Sequence, residues 1–240
     1  MDNAMIPDIL ICFLTLVTIG IVLRGLQLAL RKTGWQEARQ NKILGNSSLV
    51  VFIWLTALAL LSYRGFFNHF DLPPRPVLAI LLPLPVILWI AFSKKGTELL
   101  KQVPPQWLVF IQSFRILVEV LIWIAYLNSL LPVQMSFEGR NYDILTGILA
   151  LPVGYFCFVK KSWHRSVAIL WNFIGIVLLL NILIVAVLSM PGPLRHFMNE
   201  PPNTIVAKFP FIYLPGALVV IAYSMHIFSL RQLMVGSRDQ

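Results

Sequence analysis

Long apolar stretches separated by short polar links follow one another along the 240-residue chain. Each stretch is close to the roughly 20 residues that an α-helix needs to cross a bilayer. The pattern therefore predicts an all-α bundle of seven transmembrane helices. The third and fifth stretches are short and contain proline, which leaves their ends the least sharply defined. The predicted ranges are 6–30, 43–66, 76–93, 107–131, 144–159, 167–189 and 206–230.

The composition agrees with a membrane protein. Hydrophobic residues make up 58% of the chain and charged residues 12%, whereas soluble domains average about 45–50% and about 25%. We expect residues 1–240 to form a single integral membrane domain surrounded by the lipid bilayer. The net charge of +9 does not indicate nucleic-acid binding, because the basic residues lie in short clusters beside the apolar stretches. Cys12 and Cys157 lie in apolar stretches, so we expect no disulfide framework, no metal site and no other cofactor.

Basic residues are divided unequally between alternate links. Because basic links remain on the cytoplasmic side, this division predicts a cytoplasmic C-terminus and an N-terminus outside. The expected location is the plasma membrane of a bacterium. The richer set holds twelve basic residues: Arg31, Lys32, Arg39, Lys42, Lys94, Lys95, Lys101, Lys160, Lys161, Arg165, Arg231 and Arg238. The poorer set holds five: Arg64, Arg75, Arg140, Arg195 and Lys208.

The fourth apolar stretch carries charged residues in its middle. Arg115 and Glu119 each cost at least about 2.5–3.5 kcal/mol to place inside a membrane. They are four residues apart, so a helix brings them to one face, and we expect them to form a buried ion pair. Gln112, Trp123 and Tyr126 fall on the same face. This polar stripe must face the bundle interior or a wet cavity, because lipid cannot satisfy it.

Polar residues from the last two stretches are expected at similar depths in the membrane. Together with the stripe they predict a binding site for a small solute or ion, with Glu119 as a proton or cation carrier and Arg115 as an anion anchor. The alternative is purely structural, with amides forming interhelical hydrogen bonds worth about 0.6 kcal/mol each. The candidate binding residues are Gln112, Arg115, Glu119, Asn172, Asn181, Tyr223 and His226.

A second candidate site lies on the links opposite the basic side. These links combine carboxylates, amides and histidine, and the stretch SFEGRNYD is the first one to test. No pair has the tight helical spacing of a zinc motif, so we predict no metal site there. The alternative is an ordinary solvated loop. The outer-face candidates are Glu138, Arg140, Asn141, Asp143, His196, Asn199 and Glu200.

Pro215 lies inside the seventh predicted helix. Proline removes one backbone donor and clashes with the preceding turn, so we expect Pro215 to bend this helix. The same loss should free the carbonyl of Phe211 to face a neighbour or a ligand.

Three classes of function stay open from the residues alone. A small permease for a solute or ion is favoured, because paired charges and amides in mid-membrane suit a substrate path. A membrane-embedded enzyme acting on a lipid or isoprenoid would use Glu119, His226 or the outer carboxylates as acid or base. An accessory or assembly subunit would use its polar residues only to hold helices together. The sequence contains no GxSxG, HExxH or glycine-rich phosphate loop, and it assigns no catalytic residue or oligomeric state.

Overall fold

The computed structural model describes residues 5–236, which form helices joined by loops and contain no β-strand. The α-helices in chain order are α1 (Met5–Arg31), α2 (Glu37–Tyr63), α3 (Arg75–Leu81), α4 (Leu84–Phe92), α5 (Lys94–Gln102), α6 (Pro105–Phe110), α7 (Phe114–Leu127), α8 (Ile144–Gly154), α9 (Arg165–Leu188) and α10 (Val219–Gly236). Short 3₁₀ turns cover Ile111–Ser113, Val133–Met135 and Ile205–Ala207, and π-helical turns cover Tyr155–Val159 and Leu214–Leu218.

Six helical segments within residues 5–236 are long and apolar enough to cross a membrane. They are α1, α2, α3 with α4, α6 with α7, α9, and α10 with the π-helical turn before it. The all-helical prediction is confirmed. The fifth predicted helix, 144–159, corresponds to α8, which has 11 residues, and to the π-helical turn of five that follows it, and it is shorter than these six segments.

Prolines interrupt the apolar segments where they fall inside them. Pro83 separates α3 from α4, and Pro152 lies in α8 shortly before its π-helical turn. Pro215 lies within the π-helical turn that precedes α10. The lost N–H and the ring clash of proline account for these departures from regular α-helix. The π-helical turn at Pro215 is the local widening expected there, and the bend of the helix stays a prediction.

The carbonyl predicted to be free at this irregular turn is not free. Phe211 accepts a hydrogen bond from the backbone N–H of Leu214 at 2.9 Å, because the chain tightens before the π-helical turn. The carbonyl that turns toward a neighbouring helix is that of Gly216, which accepts from the indole N–H of Trp54 on α2 at 2.7 Å. The Trp54–Gly216 hydrogen bond thus ties this turn to α2.

The segment α6–α7 occupies the centre of the bundle, and α2 lies at its edge. In the most apolar 18 residues of Pro105–Leu127, 56% are buried, whereas in those of α2 only 6% are buried. Leu121 and Ile122 of α7 pack with apolar residues of α1, α9 and α10 in the largest core cluster of the described chain. The exposed apolar faces of the peripheral helices are those that lipid would cover. The charged residues of α7 therefore lie in the most enclosed part of the fold.

The link between α7 and α8 folds into the bundle instead of projecting from it. Gln134, Ser136, Asn141 and Asp143 are all buried. The backbone N–H of Asn141 donates to the carbonyl of Ser136, and Gln134 donates from Nε2 to Ser189 Oγ at 2.9 Å. These contacts anchor the link against α9 and bring its last residues beside α7. The alternative of a solvated loop does not hold for these buried residues.

Candidate functional site

Arg115 is paired with a carboxylate from the buried link. Its Nε donates to Asp143 Oδ2 at 2.7 Å, and its Nη2 pairs with Oδ1 of the same residue. This two-point contact matches the planar guanidinium to the carboxylate. The predicted Arg115–Glu119 ion pair is wrong, because the inward fold of the link supplies Asp143 as the partner. An arginine that is 1% exposed therefore has its charge neutralised locally.

The remaining face of Arg115 contacts His226 on α10. Arg115 Nη1 lies 2.9 Å from His226 Nε2, and His226 Nδ1 lies 2.9 Å from Asn172 Oδ1 on α9. Because arginine only donates, we assign Nε2 as the acceptor and place the ring hydrogen on Nδ1. Asn172 Nδ2 donates in turn to Ser229 Oγ at 3.0 Å and to the carbonyl of Ala168 at 2.8 Å. Both ring nitrogens of a neutral His226 are thus occupied.

Glu119 is held by an amide rather than by a base. Asn141 Nδ2 donates to Glu119 Oε2 at 2.5 Å and to the carbonyl of Met135 at 2.9 Å. The Oδ1 of Asn141 accepts from the backbone N–H of Asp143 at 3.1 Å, which joins Glu119 to the Arg115 pair. Within residues 5–236 no basic nitrogen lies within ion-pair distance of Glu119, and Oε1 receives no donor.

These contacts form one continuous group, which we call the buried network: Glu119, Asn141, Asp143, Arg115, His226, Asn172 and Ser229. Arg115 and Asp143 cancel in charge, and His226 is neutral. The net charge of the buried network therefore depends on Glu119 alone. It is negative when Glu119 is ionised and zero when Glu119 is protonated.

A partly open cavity of about 80 Å³ borders the charged end of the buried network. Aliphatic and aromatic side chains from α3, α7, α9 and α10 form most of its wall. The ionisable residues in the wall are Arg115, Glu119 and Asp143. A mostly apolar pocket with a few convergent polar groups is the usual form of a small-molecule site.

Comparison with known families adds one finding to this geometry. The family profile described as "Domain of unknown function (DUF8737)" matches residues 74–234, well over half of the chain. This chain belongs to the DUF8737 family. No curated protein and no solved structure matches it significantly. The range that defines the DUF8737 match begins after α2 and contains every member of the buried network, together with all the residues of the cavity wall.

Several of the residues predicted for the membrane site meet in this DUF8737 chain. Arg115, Glu119, Asn172 and His226 are members of the buried network. Gln112 is fully buried nearby and donates from Nε2 to the carbonyl of Ala222 on α10 at 3.0 Å.

Two other predicted residues lie outside this group. Tyr223 donates to the carbonyl of Ile80 at 3.0 Å, in the last turn of α3, where helix carbonyls lack intrahelical partners. Asn181 donates to the carbonyl of Arg140 in the link at 2.7 Å. Tyr223 and Asn181 were predicted from their depth in the membrane, but depth alone does not decide whether a side chain points toward Arg115.

The outer-face candidates divide into two groups. Asn141 and Asp143 belong to the buried network, as described above. The others tie the loops together at the surface: Trp123 Nε1 donates to Glu138 Oε1 at 2.7 Å, Arg140 lies over the Phe197 ring, and Arg195 binds Glu200 and the carbonyl of Asn199. His196 contacts the Phe197 ring edge-on.

Sequence reasoning missed residues that surround His226. Gly175 approaches so closely that an added Cβ would lie 2.4 Å from His226 Cε1. The Trp171 ring centroid lies 5.2 Å from that of His226. Within residues 5–236, Thr146 and Trp171 each keep a buried polar atom without a hydrogen-bond partner. The presence of Gly175 in an apolar helix was a signal for this close approach. Small residues are frequent in such helices, so the signal was not specific.

Proposed function

We propose that this protein is a small permease whose solute or ion binds in the cavity beside Glu119. The observation that carries the proposal is the position of the Glu119 carboxylate. It lines the cavity, Glu119 is 1% exposed, and it has no basic partner within the described chain. A carboxylate in such surroundings is stable when a proton or a cation balances it. Exchange between these two partners is the elementary step of cation–proton antiport, and the buried network offers the site for it.

An acid–base reaction on a lipid or isoprenoid has less support. His226 does not line the cavity, and both of its ring nitrogens are engaged by Arg115 and Asn172. Asp143 is occupied by Arg115 at both carboxylate oxygens. Glu119 is then left without a second acid or base at the cavity. An accessory role would require only that buried charges have partners of opposite charge. Within residues 5–236, Glu119 has an amide donor but no basic partner.

We also propose that α8 crosses the membrane, giving seven spans with the N-terminus outside and the C-terminus in the cytoplasm. A bilayer thins locally around a short helix at modest cost. The support is the pair Lys160 and Lys161 directly after the segment, which this topology places on the same side as the other basic links. The plasma membrane of a bacterium stays our proposal for the location.

Proton movement in proteoliposomes tests the permease directly. Vesicles with a trapped pH-sensitive dye and an acidic interior receive sodium, potassium or butyltrimethylammonium chloride outside, with the membrane potential clamped. We expect one of these cations to drive protons out through the wild-type protein. Glu119→Gln should lower that rate at least tenfold, because an amide cannot exchange a proton. Glu138→Gln, which changes an exposed carboxylate away from the cavity, is the matched control.

The proposal fails if no cation moves protons through the wild-type protein. It also fails if folded Glu119→Gln protein retains the wild-type rate.

A further inference from the structure

We propose that the cavity binds a small lipophilic cation, an ammonium group on a short apolar chain, which enters sideways from the bilayer between α3 and α9. The proposal deepens the permease function proposed above and rests on it. It assigns the chemical class of the substrate and its route of entry.

The cavity wall selects for an apolar body. Phe114 and Val118 of α7 and Leu179 of α9 are among the many hydrocarbon side chains that line it. A small hydrated ion such as Na⁺ would need several oxygen ligands in place of its water, and this wall does not provide them. Apolar groups on the ligand would instead gain free energy by leaving water, at about 25 cal/mol per Å².

The charge at the cavity selects for a cation. Arg115 also borders the cavity, but its guanidinium donates to Asp143 and to His226, so its positive charge is balanced. Among residues 5–236, Glu119 has one amide donor on Oε2 and no donor on Oε1. An ammonium group beside Oε1 would balance the remaining negative charge. An anionic ligand would instead meet an unbalanced carboxylate in a poorly solvated site.

The route of entry follows from helix packing. α3 and α9 both line the cavity, α3 through Val77 and Ile80 and α9 through Leu183 and Val187. The extensive contacts of α3 are with α4 and with the π-helical turn before α10, and α3 does not pack closely against α9. All four side chains are partly exposed. The bilayer therefore meets the cavity along the seam between these two helices.

The size of the cavity limits the ligand. A water-sized group needs about 10–15 Å³ of cavity volume. The cavity of about 80 Å³ therefore accommodates roughly five to eight such groups. This matches a quaternary ammonium with a short alkyl chain and excludes a whole phospholipid.

Binding to protein in lipid nanodiscs tests the ligand class. We use butyltrimethylammonium as the probe, with hexanol as a neutral comparison and hexanoate as an anionic one, and measure affinity by calorimetry. We expect saturable binding of the cation, at least tenfold tighter than hexanol or hexanoate. Glu119→Gln should weaken cation binding at least tenfold and leave hexanol binding unchanged. Glu138→Gln should bind the cation as the wild-type protein does.

The seam is tested by narrowing it. Leu183→Trp places a large ring where α9 lines the cavity, and Val177→Trp places the same ring on a lipid-facing position of α9 that is 63% exposed. We expect Leu183→Trp to slow association of butyltrimethylammonium at least fivefold and Val177→Trp to leave it unchanged. If both variants bind as fast as the wild-type protein, the lateral route is overturned.

Failure of this inference and failure of the permease proposal are distinguishable. Proton movement that depends on Glu119 with sodium or potassium, and no binding of butyltrimethylammonium, would overturn the lipophilic cation and keep the permease. Binding that depends on Glu119 without any proton movement would support the ligand class and overturn the permease. If Glu119→Gln does not fold, Glu119→Asp replaces it, because a shorter carboxylate should retain cation selectivity with reduced affinity. Equal affinity of folded Glu119→Asp protein for the cation and for hexanol would overturn the inference.

Discussion

The Arg115–Asp143 pair gives the sharpest test of the site geometry. Its side chains are 2% and 6% exposed, so each charge depends on the other for compensation. Arg115→Gln leaves the Asp143 carboxylate buried without its cation, and Asp143→Asn leaves the guanidinium without its anion. Removing one partner of such a pair costs about 3–5 kcal/mol in buried soluble pairs. At about 1.4 kcal/mol per factor of ten, each change should lower the folding equilibrium constant roughly a hundredfold or more.

The double variants decide which carboxylate is the partner. Arg115→Gln with Asp143→Asn removes both charges and should recover much of the lost stability. Arg115→Gln with Glu119→Gln leaves Asp143 uncompensated and should remain as unstable as Arg115→Gln alone. The yield of monodisperse protein from size-exclusion chromatography and the melting temperature in mild detergent measure both effects. Equal or better rescue by the Glu119 combination would refute the assigned partner.

Two further predictions concern topology and packing. In a protein without other cysteines, Lys161→Cys should not be labelled by an impermeant maleimide in intact cells, whereas Glu138→Cys on the opposite side should be labelled. Labelling at Lys161→Cys would reverse the proposed orientation. Gly175→Ala should lower the melting temperature, with a cost of about 1–3 kcal/mol, because the new Cβ would overlap His226. Gly25→Ala would bring its new Cβ within 4 Å of no atom from a neighbouring helix of the described chain, and should leave the melting temperature unchanged or raise it.

The sequence identified part of the site because the cost of charge in a membrane is large. Arg115 and Glu119 could be placed on one inward face of a central helix from their spacing alone. His226 and Asn172 could be predicted from their depth in the membrane, because polar side chains in lipid-surrounded helices need partners. The structure places both in the buried network.

The partner of Arg115 could not be predicted because it comes from a link. The stretch from Ser136 to Asp143 is polar and contains a glycine, which is typical of a solvated loop. Its burial depends on long-range contacts such as that of Gln134 with Ser189, and no local pattern indicates these contacts. The predicted range 144–159 agrees with the helical segment Ile144–Val159, but its change from α-helix to π-helical turn after Gly154 could not be predicted from apolar residues alone.

The central claim is that Glu119 is an uncompensated carboxylate in an apolar cavity open to the bilayer. Dicyclohexylcarbodiimide, which partitions into lipid and attacks protonated carboxyl groups, tests it on the folded wild-type protein in nanodiscs. Peptide mass spectrometry should place the adduct on Glu119, with Asp143 unmodified because Arg115 covers it, and added butyltrimethylammonium should protect Glu119. Modification of Asp143 in preference to Glu119, or an unmodified Glu119 in folded protein that reacts after unfolding, would contradict the account.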